Sequence, residues 1–296
     1  MKKLLFTGAA TALVTPMGSD GSLNLEKYKE LIEFQIGSGI DALVAVATTG
    51  ENAVLSGKEH RSLMRCAVEA AAGRVPVICS TGSNDTAYGS DTSKAAEDAG
   101  ADGLLLVTPY YNKCTQAGLI KHFEKILSNT SLPAIVYNVP SRTGFNISVE
   151  TYKILSQHPQ IVGVKEASGN VAQAAAIIAE CKDELAVYSG NDELTVPIMS
   201  IGGKGVISVM SNIIPSAMHS ICSLCLNNDF AAAKDLAVKY LSLANAMFLE
   251  VNPIPVKAAM NMLGFDVGDP RLPLTQLDQK YVPVLCKTLE QCGLSK

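Results

Sequence analysis

The stretch IVGVKEASGN, residues 161–170, carries an amine at the end of an apolar run. In a strand, Lys165 shares one face with Gly163, and Val162, Val164 and Glu166 share the other. A lysine held away from water loses basicity, because burial disfavours the ammonium. Its neutral amine can attack a carbonyl and form a Schiff base. The ordinary alternative is a strand-end lysine whose nitrogen snorkels to solvent. Glu166 has an ordinary reading as the partner of a Lys or Arg in a helical layer. Tyr137 ends AIVYNVP (134–140), and its phenol could move a proton to and from a carbinolamine. A half-buried tyrosine with a wet tip is the plain reading there. Thr48 and Thr49 precede Gly50, so hydroxyls and backbone N–H groups converge in a turn suited to a carboxylate, or simply cap a helix. Arg142, in the short polar loop PSRTG, could grip a second carboxylate bidentately or stand free on the surface.

These groups can cooperate only if the fold brings their strand ends together. Eight short apolar runs are candidate strands, near 9–16, 42–50, 75–82, 103–109, 134–140, 161–168, 185–190 and 205–209. Most lack alternation, the pattern of strands buried on both faces of a parallel sheet. Amphipathic stretches lie between them, with Asn24 and Ser56 as plausible caps and glycines such as Gly73 and Gly100 as stops. Alternating strands and helices in this number predict a (β/α)8 barrel, whose functional groups sit at the C-terminal ends of the strands. An open doubly wound sheet would normally show a glycine-rich turn after a strand. SIGGKGVIS (200–208) precedes its strand instead. The β pattern stops near residue 228. A barrel over 1–228 is expected, followed by a helical extension over 229–296 containing three helices.

The chain has 296 residues, 48% hydrophobic and 18% charged, enough for a large core. Trp is absent and aromatics are few, so small aliphatic side chains must fill that core. The formal net charge is −4 and no Lys/Arg run appears, which argues against a nucleic-acid partner. Eight scattered cysteines fit a reducing compartment and a cytoplasmic location. Cys222 and Cys225 form a lone CxxC with no second pair at zinc spacing, and read as one face of an apolar helix. The four histidines show no metal-site spacing, so no metal is expected. MKKLLFTGAATALVTP resembles a short export signal, but polar breaks at Thr7, Gly8 and Thr11 favour a first core strand. No apolar stretch reaches membrane-spanning length.

Four motifs, TTGE (48–51), TPYYN (108–112), YNVPSRTG (137–144) and GVKEASG (163–169), together resemble the dihydrodipicolinate synthase family in order and spacing. The similarity runs from about Thr7 into the C-terminal helices, where NPIPVK (252–257) also matches. The resemblance implies a class I aldolase that condenses pyruvate with L-aspartate 4-semialdehyde and needs neither metal nor organic cofactor. It implies that Lys165 forms the Schiff base, that Tyr137 donates and accepts protons, and that Thr48 and Tyr111 complete a relay. Tyr111 would reach into a neighbouring subunit's site, which implies a dimer unit, commonly paired into a tetramer. Thr49 would hold the pyruvate carboxylate and Arg142 that of the semialdehyde, with backbone contacts from Gly190 and Ile207.

Related aldolases share the lysine, the tyrosine and the TGE turn but cleave sialic acid or sugar-derived keto acids. Arg142 suits a short anionic second substrate and separates this chain from the sialate lyases. A non-catalytic keto-acid sensor is the remaining class, and it would lack one of the catalytic groups present here. In lysine-inhibited members a glutamate follows the TGxN turn. Here Tyr88 stands in that place, with His60, Asn84 and Tyr110 as the other candidate effector residues, so weak or absent inhibition by lysine is expected.

Overall fold

The computed structural model describes residues 2–294. Its first half alternates β1 (Gly8–Ala12), α1 (Leu25–Gly37), β2 (Ala42–Ala45), α2 (Gly57–Ala71), β3 (Val77–Ser80), α3 (Thr86–Asp98), β4 (Gly103–Val107) and α4 (Gln116–Leu127). It continues with β5 (Ala134–Asn138), a short α5 (Pro140–Thr143), α6 (Val149–Leu155), β6 (Ile161–Glu166), α7 (Val171–Cys181), β7 (Ala186–Ser189), α8 (Thr195–Ser200), β8 (Gly205–Ser208) and α9 (Pro215–Leu226). The strands pair in parallel, in chain order, and β8 closes on β1. Every strand residue is buried, as the unalternating apolar runs required. The helix starts follow from their caps. Asn24 Oδ1 accepts from Lys27 N at 3.0 Å, and Ser56 and Glu59 form a reciprocal capping box.

Two cores result. The outer one lies between strands and helices. The inner one fills the barrel with small residues (Ala10, Ala12, Ala42, Val44) and a few large ones. Phe6 stacks on Tyr188 with ring centroids 4.3 Å apart, and the Tyr188 hydroxyl donates to Phe6 O at 2.6 Å. The expectation of an aliphatic filling therefore needs amending, because an aromatic pair plugs the floor. Gly163 makes that possible. A Cβ there would stand 3.1 Å from the Tyr188 ring and 2.9 Å from Ala186 O. The room left by this glycine goes to Tyr188, not to the stem of Lys165. The expected first strand is β1. The charged start before it is built in, since Lys2 Nζ donates to the carbonyls of Ser156, His158 and Ile161.

Among the described residues, four helices follow residue 228 instead of three: α10 (Phe230–Lys239), α11 (Leu241–Ala246), α12 (Ile254–Met262) and α13 (Val282–Gln291). The expected long first helix breaks at Tyr240, whose backbone (φ −102°, ψ 9°) leaves helical geometry. This extension is tied to the barrel mouth by a buried ion pair. Lys257 Nζ lies 2.9 Å from Glu51 Oε1 and also donates to Thr15 O and Asp269 O. Arg271 N donates to the other Glu51 oxygen at 2.8 Å. Two motifs read separately in the sequence, TTGE and NPIPVK, thus meet through Glu51 and Lys257.

Candidate active site

At the C-terminal end of the barrel a cavity of about 80 Å3 is walled by Thr48, Thr49, Tyr137, Arg142, Lys165 and Gly190, together with residues of the C-terminal extension. The β5–β6 register sets Tyr137 directly beside Lys165, and β7 sets Tyr188 on its other side. Lys165 is 4% exposed, and its Nζ stands 4.4 Å from the centre of the Tyr137 ring. Unlike Lys257, it makes no ion pair among the described residues. Burial lowers its pKa to about 8, the charge of Asp192 resists the fall, and Arg142 adds to it. The amine is therefore nucleophilic near neutrality, which a snorkelling lysine would not be.

Burial pushes the Tyr137 phenol upward, while the Arg142 charge and the Thr48 hydroxyl beside it pull back. The phenol thus stays protonated at neutral pH and can give or take a proton next to the lysine. Thr48 and Thr49 sit in a turn made sharp by left-handed backbone at Val46 (φ 51°) and Glu51 (φ 59°). A positive φ is uncommon for a β-branched residue and marks a conformation imposed by its surroundings. Gly50 is packed tightly in the same turn, where a Cβ would come within 3.1 Å of Leu13 O. The Thr49 hydroxyl accepts from Asn252 Nδ2 at 3.1 Å and so keeps its own proton for a ligand. Arg142, on α5, donates from Nη2 to Asn252 O at 3.2 Å at the rim. Gly190 N donates to Glu166 O at 2.7 Å. A Cβ on Gly190 would strike Ala167 Cβ at 2.5 Å, so only glycine permits this approach.

Several residues lie elsewhere. Tyr111 is 94% exposed in a left-handed turn (φ 66°) and does not wall the cavity within its own chain. Ile207 is buried in the inner core, and Val209 supplies the wall from that strand end. His60 Nε2–H donates to Ser80 O at 2.9 Å, and burial lowers its pKa. Tyr88 is half exposed, its hydroxyl 3.9 Å from where a Cβ on Gly57 would stand. Asn84 O accepts from Asn112 Nδ2, and Tyr110 packs against the inner core. Glu166 meets no cation among the described residues, unlike its ordinary reading as a partner of Lys or Arg. It accepts from Asn138, Tyr152, Gln173 and Ser168 N, because β6 faces a helical layer that offers amides and a phenol. Cys222 and Cys225 are buried on α9 in the outer core, and burial pushes Cys225 up to about 11.

Sequence reasoning missed three contributors. Asn252 joins Thr49 to Arg142, and its Oδ1 has no hydrogen-bond partner among the described residues. Phe248 forms part of the roof. Asp192, in SGND, is buried beside the lysine and accepts from the N–H groups of Val209 and Met210. Only the NPIPVK match hinted at the first, and nothing local marked the other two.

The chain is similar to known proteins along nearly its whole length. A dihydrodipicolinate synthetase family model matches residues 5–292. The chain is 47% identical over 294 residues to the 4-hydroxy-tetrahydrodipicolinate synthase of Acetivibrio thermocellus, covering 99% of this chain and 100% of that one. To the synthase of Caldicellulosiruptor bescii it is 48% identical over 291 residues, 98% of each. The solved dihydrodipicolinate synthase of Acinetobacter baumannii, in complex with pyruvate, superposes with a TM-score of 0.96 at 42% identity, covering 97% of this chain and 99% of that one. A synthase from Cyanidioschyzon merolae with lysine bound gives 0.96 at 38% identity, over 99% and 100%. Matched along nearly its whole length by a family model, by sequence and by barrel geometry, this chain belongs to the dihydrodipicolinate synthetase family.

Proposed function

We infer that this protein condenses pyruvate with L-aspartate 4-semialdehyde to give 4-hydroxy-tetrahydrodipicolinate, a step of diaminopimelate and lysine biosynthesis, through a Schiff base on Lys165. One observation carries the reading: a buried amine with its pKa lowered to about 8, at the mouth of a barrel, in a chain matched throughout by proteins of that name. The neutral Nζ adds to C2 of pyruvate. Tyr137 supplies the proton that lets the carbinolamine lose water, leaving a protonated imine. Loss of a proton from C3 gives the enamine, with the imine nitrogen as electron sink. C3 then attacks the aldehyde carbon of the semialdehyde, and the new alkoxide takes up a proton. The substrate's own amine adds to C2 and closes the ring, and the C2–Nζ bond breaks to free Lys165. One water leaves per turnover.

The chain's residues fit these steps. Thr48 lies beside Tyr137 and can relay its proton onward. Thr49 and the turn's backbone N–H groups suit the pyruvate carboxylate. Arg142, at the rim, suits the carboxylate of the second substrate. The extension after residue 228 completes the site through Phe248 and Asn252.

Tyr111 belongs to the relay of a neighbouring copy. Its near-complete exposure and constrained backbone support that role, and with it a dimer, paired into a dimer of dimers. A monomeric variant exists among the similar solved synthases, at 39% identity, so the assembly is a property to measure. Eight unpaired cysteines support a cytoplasmic location, and no helix among the described residues is long and apolar enough to cross a membrane.

Reductive trapping tests the chemistry. Pyruvate with borohydride should leave a reduced pyruvate adduct on the peptide containing Lys165. Lys165→Ala should lose the adduct while keeping its circular dichroism. An adduct on another residue, or none, overturns the mechanism. A coupled assay offering pyruvate with aspartate semialdehyde, against sialic acid and ketodeoxygluconate in parallel, tests the substrate.

A further inference from the structure

Through Asn252 the C-terminal extension reaches the catalytic cavity. The residue is 5% exposed, walls that cavity and stands two residues before α12. Its place is fixed on both sides. Glu51, two residues after Thr49, holds Lys257 of α12 at 2.9 Å, and Arg271 N holds the other Glu51 oxygen. The Thr49 turn and the start of α12 are thereby clamped together. The 3.1 Å hydrogen bond from Asn252 Nδ2 to Thr49 Oγ1 forms inside that clamp.

An amide is an unfavourable choice for a mere filler here. Its Oδ1 is buried and meets no donor among the described residues. An unpaired buried acceptor is destabilising, and an aliphatic side chain of similar volume would avoid it. What the amide supplies is direction. A hydroxyl can either donate or accept. With Asn252 Nδ2–H on one of its lone pairs, Thr49 Oγ1 is left with a proton that has no acceptor among the described residues. The neighbouring Thr15 differs, since its hydroxyl donates to Gly50 O at 2.7 Å. Turned the other way, the Asn252 amide would take the Thr49 proton and leave both its own N–H donors unpaired. Buried unpaired N–H groups are rarer than buried unpaired carbonyls. Thr49 walls the cavity, so a bound ligand is the acceptor within its reach.

We propose that Asn252 is a positioning residue for the 2-oxo acid: by donating to Thr49 it holds that hydroxyl as a donor toward the cavity, and so sets the affinity for the pyruvate carboxylate. The proposal rests on the reading of Thr49 as a ligand of that carboxylate. The backbone of the same residue serves the second substrate, because Asn252 O accepts from Arg142 Nη2 at 3.2 Å. Side-chain substitutions leave this carbonyl in place, so the two roles are separable.

The measurement is the pyruvate concentration that half-saturates borohydride trapping on Lys165, alongside the KM for the semialdehyde in the coupled assay. Asn252→Ala should raise the pyruvate value about tenfold, the scale of a hydrogen bond to a charged group. Asn252→Asp should raise it further, since a carboxylate of nearly the same shape takes the Thr49 proton and turns acceptors toward the ligand. A space-filling role predicts the reverse order, with Asp the milder change. In a Thr49→Val background, Asn252→Ala should add little, because the group it acts through is gone. The semialdehyde KM should change by less than about threefold in each Asn252 variant. Circular dichroism checks the fold. Should the alanine variant fold poorly, Asn252→Leu refills the volume without polar atoms and should give the same rise. Additive effects at Thr49 and Asn252, a milder effect of Asp than of Ala, or an equal rise for both substrates would each overturn the proposal. Absence of trapping in the parent protein would instead overturn the Schiff-base mechanism on which it rests.

Discussion

Lys165 works because its surroundings withhold water and, among the described residues, no carboxylate forms a direct ion pair with it. With a pKa of about 8, roughly one amine in ten is neutral at pH 7. The neutral form is the nucleophile, so the trapping rate at limiting pyruvate should climb about tenfold per pH unit below 8 and level off above it. A rate flat from pH 6 to 9, followed by mass spectrometry, would contradict a titrating amine as the attacking group. Asp192 holds the lysine's proton on, so Asp192→Asn should move the midpoint of the same profile to lower pH. A midpoint that stays put or rises would show that this carboxylate is not felt at the amine. The residue types and their strand-end positions were readable, because each carries its chemistry in its own side chain. The partners were not. Asp192, Asn252 and the amide cradle around Glu166 come from segments far apart in the chain, and no local pattern announces a contact between Thr49 and residue 252.

At the scale of elements, the turn after β4 projects Tyr111 away from its own barrel. If that phenol serves a neighbour, then Lys165→Ala and Tyr111→Phe, each impaired alone, should restore activity when co-expressed. One mixed site would then hold an intact lysine and a borrowed phenol. Removing a proton-transfer group should slow Tyr111→Phe itself by roughly 10²–10⁴-fold. No recovery in the mixture, measured by the coupled assay, would place Tyr111 outside the relay. If the effector position expected from the sequence holds, Tyr88 on α3 sets a phenol near the start of α2 in place of a carboxylate, and a lysine titration should show weak or no inhibition. Tight, cooperative inhibition would mean that another acid holds the effector's ammonium. The eight strands and the helix starts at Asn24 and Ser56 were legible because buried parallel strands and such capping residues leave clear patterns. The break at Tyr240 was not, since nothing in an unbroken amphipathic stretch marks a turn that tightens. A groove between α1 and α2 lined by Lys29, Lys58, Arg61 and Arg65 was likewise hidden, because helical spacing gathers charges that never form a run.

The whole molecule is held together at its mouth. Glu51 and Lys257 are both almost fully buried and tie the turn that carries Thr48 and Thr49 to α12. Removing one member strands the other charge out of water, so Lys257→Met should destabilise the fold by about 3–5 kcal/mol in urea denaturation. Its loss should also weaken pyruvate trapping, because the turn that carries Thr48 and Thr49 loses its anchor. The double variant Glu51→Leu/Lys257→Met should recover much of the stability, since no charge is then left unpaired. A single variant as stable as the parent would mean that the pair is solvated in solution.

That tether limits how the protein could be miniaturised. The chain invites trimming at residue 228, where the strands end and only helices remain. An engineer who excised the helices there would leave a bare anion beneath Thr48 and Thr49 and open the roof that Phe248 and Asn252 provide. A functional short barrel would first have to exchange Glu51 for an uncharged side chain. It would then need a new ceiling over the pocket before any catalysis could be asked of it.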